Sequence, residues 1–139
     1  MNKLTKSIVK ALKGLGASIP IIISIILLVS LASTLIPKSS YSLLFNGNYF
    51  LDPLIGSVLG SVLTGTPITS YILGGEFLSQ GISLIAVTAF LVCWVTVGLV
   101  QLPAETMLLG KKFAIIRNVL SFIFSIIVAI ITVSLVNLL

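Results

Sequence analysis

The sequence holds no histidine, one cysteine (Cys93) and three carboxylates in 139 residues. A single thiol excludes an intramolecular disulfide, and with no histidine beside it a Cys/His metal cage is excluded within one chain. No nucleophile can be paired with a base, because the serines are scattered through apolar segments. No glycine-rich phosphate loop of the Walker type is present either. Enzymatic activity, a resident metal and a cofactor are therefore not expected, and Cys93 reads as a small apolar packing residue. Charge is equally scarce: 8% of residues are charged and 58% hydrophobic, against roughly 25% charged in an average soluble domain. That composition is one of an integral protein of the cell membrane.

The eight basic residues cluster as Lys3, Lys6, Lys10 and Lys13, then Lys38 alone, then Lys111, Lys112 and Arg117. Such spacing reads as topology signals and lipid-headgroup contact, without the water-exposed basic stripe that nucleic acid requires. The first four lysines share one side of a helical projection, which predicts a basic interfacial helix over 1–14. Residues 15–36 carry no charge before Pro37, giving the ~20 apolar residues of a spanning helix, longer than the ~7–15 of a signal-peptide core. An interfacial connector is expected over 42–52, with a tight turn at Asn46-Gly47 and headgroup-level aromatics at Tyr41, Phe45, Tyr49 and Phe50. Further spans are expected over 83–102 and 119–139.

Residues 53–75 are long enough to cross but are interrupted by Gly65, Pro67 and several other glycines. If they cross, the two faces carry four basic residues each, as in a dual-topology protein that pairs antiparallel. If they dip in, turn near 64–67 and return, seven basic residues fall on one side and orientation is single. The break favours the second reading: Pro67 has no N–H, and backbone freed at membrane depth must face protein or a water-filled cavity. The expected architecture is all-α, with three full transmembrane helices, one broken or re-entrant helical hairpin and the interfacial N-terminal helix. An odd number of spans can pair with an inverted copy, the layout of many transporters.

Five hydroxyls, Thr64, Thr66, Thr69, Ser70 and Tyr71, surround the break. Together with backbone dipoles and a half-helix N-terminus they form a candidate site for an anion or a polar neutral solute. The alternative is that they only satisfy the broken backbone and let helices pack. Glu76 and Glu105 lie at the ends of neighbouring apolar segments, each four residues from a glutamine, Gln80 and Gln101. Carboxylates there read as proton or cation carriers, or as caps and partners of Lys111, Lys112 or Arg117. Gly56, Ser57, Gly60 and Ser61 form two small-xxx-small pairs, permitting close helix contact within or between chains. Trp94 lines a pathway or packs against lipid or protein.

The run "GTPITSYILGGEFLSQGISLIAVTAFLVCWVTVGLVQLPAE", followed by "LGKKFAIIRN", resembles the YraQ-like permease family, whose arsenical-efflux branch is called ArsP. The resemblance covers roughly residue 56 to the C-terminus. It implies a permease whose larger members hold two related halves, each with a proline motif near mid-membrane. It also implies that Thr66, Pro67, Thr69 and Ser70 line the permeation site, with Glu76 following. This chain looks like half of such a protein, so the expected partners are the lipid bilayer, a small solute or ion, and a second copy or related half in a homo-oligomer such as a dimer. Larger members often carry cysteines beside the proline. Thr and Ser stand there in this chain, which suits a harder or more polar solute than a soft metalloid. The expected function is a small permease with Thr66, Pro67, Thr69, Ser70, Tyr71, Glu76, Gln101 and Glu105 at its site. The competing expectation is a non-transporting membrane subunit or assembly factor of a larger complex.

Overall fold

A computed structural model of the chain describes residues 3–35, 40, 43–63 and 65–139. Tyr41 and Lys38, expected at the connector, and Thr64, expected at the break, lie outside the described residues. The described residues are helical with no strand, and the chain divides into two units, Met1–Ile36 and Pro37–Leu139.

The first unit is one helix, α1 (Lys3–Leu35). The basic segment and the apolar run after it are thus continuous, with no helix boundary where the interfacial segment was expected to end. Pro20 sits inside α1, where its missing N–H leaves one backbone carbonyl without its usual partner. Serine and threonine hydroxyls bond back to carbonyls four residues earlier, as in Ser24 Oγ to Pro20 O at 2.7 Å and Thr34 Oγ1 to Ser30 O at 2.8 Å. That lets hydroxyl side chains sit on an apolar helix without an unmet donor.

The second unit holds α2 (Leu51–Val62), α3 (Pro67–Ser79), α4 (Leu84–Thr96), α5 (Leu102–Leu109) and α6 (Lys111–Val136). Before α2, Gly47 takes φ 73°, a left-handed conformation that costs glycine little. The Tyr49 hydroxyl meets Ser134 Oγ at 3.0 Å. Among the described residues two helices are long and apolar enough to cross a membrane, Lys3–Leu28 within α1 and α6. The remaining four, of 12, 13, 13 and 8 residues, are about 12–20 Å long at 1.5 Å per residue, short of a ~30 Å hydrocarbon layer.

A full helix over 83–102 was expected, and the structure corrects it. Helix α4 ends at Thr96, Val97 turns extended (φ −106°, ψ 122°), and helix resumes only at Leu102. The cause is local. Gly98 lowers helix stability, Pro103 cannot donate to the preceding turn, and a polar side chain of α6 takes the Gly98 amide. The last span also begins earlier than position 119: α6 starts at Lys111 behind Gly110, whose φ of 88° makes the corner after α5.

Helix α4 is the centre of the bundle. Its Ile82 approach, Ala86 and Val87 form one apolar cluster with Phe45, Phe77 and Leu91 packed against it. Ile85 and Ala89 form another with Ala129 and Val133 of α6. These pairings run α4 antiparallel to α6. Helix α2 lies parallel to α4, with Asp52 by Ser83, Gly56 on the Ala86 carbonyl and Gly60 on the Phe90 carbonyl. The small-xxx-small pairs therefore make a contact within the chain. Gly56 and Gly60 take α4, while Ser57 turns to α6 and meets Ser125 Oγ at 3.0 Å. Helix α3 returns the other way: Gly65 is beside Trp94 and Gly74 beside Val87 and Leu91. It ends in a Schellman motif, Ile82 N to Phe77 O and Gly81 N to Leu78 O, both 3.0 Å. Thus α2 and α3 start and finish at the same end of α4, and the chain reverses between Leu63 and Thr66.

Candidate functional site: two helix breaks side by side

The first break follows from three residues. Leu63 and Thr66 are extended (ψ 141° and 154°), and Pro67, the first residue of α3, has no N–H to give. A residue before proline is pushed toward extended backbone, so Thr66 is set as an N-cap. Its Oγ1 accepts from Thr69 N at 3.4 Å and meets Thr69 Oγ1 at 3.0 Å. Ser70 is buried and donates to Pro67 O at 2.8 Å. The hydroxyls of Thr66, Thr69 and Ser70 are therefore bonded among themselves and to their own backbone.

The second break, 97–101, lies next to the first. Gly65 and Pro67 from one, and Val97, Gly98 and Gln101 from the other, line a cavity of about 170 Å³ floored by Trp94 and Val95. Trp94 Nε1 reaches Gly65 O at 3.4 Å, using the indole to satisfy a carbonyl that the break released. Phe90 supports the indole edge-on at 5.4 Å.

Polar side chains of α6 hold the second break open. Asn118 Oδ1 accepts from Gly98 N at 3.0 Å, and its Nδ2 donates to Glu105 Oε2 at 3.0 Å and to Ala114 O at 2.9 Å. Arg117 forms an ion pair with Glu105 and donates Nη2 to Thr96 O at 3.3 Å. Two backbone groups that a continuous α4 would have bonded internally thus go to a neighbouring helix.

The expected site residues separate into groups. Pro67 and Gln101 share the cavity. Thr66, the N-cap of α3, and Thr69 and Ser70 just after it flank Pro67 in sequence but are not among the residues that line the cavity. Glu105 belongs to the network that braces the second break. Tyr71 is exposed and lines a separate groove with Thr88, Leu91 and Val95. Glu76 is nine positions along α3 from Pro67, about 13 Å away along the axis. Its Oε1 accepts from Gln80 Nε2 at 2.8 Å.

Asn118 and Asp52 were not singled out from sequence. Asn118 carried one usable signal, a lone amide beside Arg117 at the head of an apolar run. No family model, no curated protein and no solved structure matches the chain.

Proposed function

We propose that the chain is a multi-pass membrane permease of the YraQ-like kind, working as a dimer or with a related second half, whose solute passes the paired breaks. In this reading α1 and α6 each cross the bilayer, α4 and α5 together make a broken third crossing, and α2 and α3 form a re-entrant hairpin. The observation that carries it is the meeting of two helix breaks around one cavity. Irregular backbone at membrane depth is tolerated where it is wrapped in protein or lines a water-filled space. Four helix ends converge there: the carbonyl ends of α2 and α4 and the N–H ends of α3 and α5. Two partial charges of each sign favour a solute that is polar without net charge. Glu105 and Arg117, the charged pair that braces the second break, neutralise each other. The cavity volume corresponds to five or six waters at about 30 Å³ each, which suits a small solute.

One observation favours the competing role of a non-transporting membrane subunit. The hydroxyls of Thr66, Thr69 and Ser70 are already engaged, as they would be in a wedge that only packs. Thiol labelling in sealed vesicles of both orientations separates the two. Cysteines placed at Thr66 and Gln101 are expected to react with a membrane-impermeant maleimide from either face, while the buried native Cys93 stays unreactive as internal standard. Reaction from one face only, or none, would leave the wedge and remove the permease.

A further inference from the structure

At the end of the bundle opposite the breaks, two buried side-chain oxygens have no donor: Asp52 Oδ1 and Gln80 Oε1. Asp52 is 1% exposed and lies in the first turn of α2. Its other oxygen accepts from Ser83 Oγ at 2.7 Å. Among the described residues no basic side chain balances it, since Arg117–Glu105 is the one ion pair there. Gln80 caps the C-terminus of α3, and its amide nitrogen is committed to Glu76. That commitment fixes which end of the amide is the unmet one. The turn 80–83 carries both Gln80 and the Ser83 that holds Asp52.

Both unmet atoms are oxygens that want positive charge. A buried ionised carboxylate without a counter-charge is among the most expensive groups a fold can hold. The carbonyl end of α3 adds negative partial charge beside it. We propose that Asp52 and Gln80, with the Ser83 hydroxyl oxygen, bind a monovalent hard metal cation of the sodium kind. Oxygen-only donors select a hard ion. One unpaired carboxylate balances one positive charge, whereas Glu76 is already bonded by Gln80. The site needs no transported solute in order to be detected.

The test is thermal unfolding of the full-length protein in detergent, with sodium chloride exchanged for choline chloride at constant ionic strength. A ligand that binds only the folded state raises the melting temperature with its concentration. The native protein is expected to melt higher as sodium replaces choline. Asp52→Asn is expected to abolish that dependence, and Gln80→Ala and Ser83→Ala to raise the sodium needed for half the effect by about tenfold. Should Asp52→Asn fail to fold, the Gln80 and Ser83 variants carry the test alone. Equal melting in sodium and choline overturns the site. So does stabilisation in choline by lowering pH with no added effect of sodium, which would make the occupant a proton.

Discussion

Gly56→Ala is expected to destabilise the protein by about 2–3 kcal/mol, although alanine is the better helix former by ~1 kcal/mol. A Cβ at Gly56 would overlap the Ala86 carbonyl, and one at Gly60 would come within 2.5 Å of Phe90 O and 3.0 Å of Trp94 N. All of these neighbours are backbone of α4, the helix against which α2, α3 and α6 pack, so no rotamer change can make room. The contact must open along its length. Gly75 is the control. It lies within α3 with nothing inside 4 Å of a built Cβ, and Gly75→Ala is expected to gain about 0.5–1 kcal/mol from reduced chain entropy. Thermal melts of Gly56→Ala, Gly60→Ala and Gly75→Ala in one detergent decide the matter. A Gly56→Ala protein that melts at or above the native temperature would show that α2 and α4 are not in close contact.

The first break was legible because its chemistry is local. Gly65, Thr66 and Pro67 each oppose helix for a reason contained in the residue or its neighbour, so the interruption between α2 and α3 could be placed without knowing what surrounds it. The second break was not. Residues 83–102 read as an unbroken apolar run, and Gly98 and Pro103 each have precedents inside helices when neighbours supply the missing bonds. What turns that stretch into a break is an amide and a guanidinium twenty residues downstream, Asn118 on Gly98 and Arg117 on Thr96. Such pairings arise only once α6 folds back along α4.

Glu105 shows the same limit in a milder form. Its place at the end of an apolar segment allowed a cap or an ion pair with Lys111, Lys112 or Arg117, and the structure pairs it with Arg117. The share of Asn118 in holding it depended on packing. Glu76 follows the proline motif in sequence, and a continuous α3 carries its carboxylate nine residues along to the end of the bundle that holds Asp52. The polar residues near residues 63–81 therefore belong to two places, one at each end of α4, where the sequence pattern joined them in one.

Asn118→Leu is expected to be the most damaging single polar substitution, at about 3 kcal/mol. It leaves the half-buried Gly98 amide without its acceptor and Glu105 Oε2 without the Asn118 donor, and each unmet group shielded from water costs ~1–3 kcal/mol. Leucine has similar bulk, so the loss reports the hydrogen bonds more than a cavity. The effect should also be local. Hydrogen exchange at 97–101 is expected to accelerate well beyond that of α6, because the break loses its brace while the α4–α6 apolar contact at Ile85, Ala89, Ala129 and Val133 remains. A complementary pair sharpens the result. Asn118→Asp keeps an acceptor for Gly98 but sets a second carboxylate against Glu105, whereas adding Glu105→Gln restores a donor across the same gap. The double variant is therefore expected to be more stable than Asn118→Asp alone, with a coupling above about 1 kcal/mol in a double-mutant cycle. Additive effects in that cycle, or unchanged exchange at 97–101 in Asn118→Leu, would mean that the second break is held by something other than Asn118.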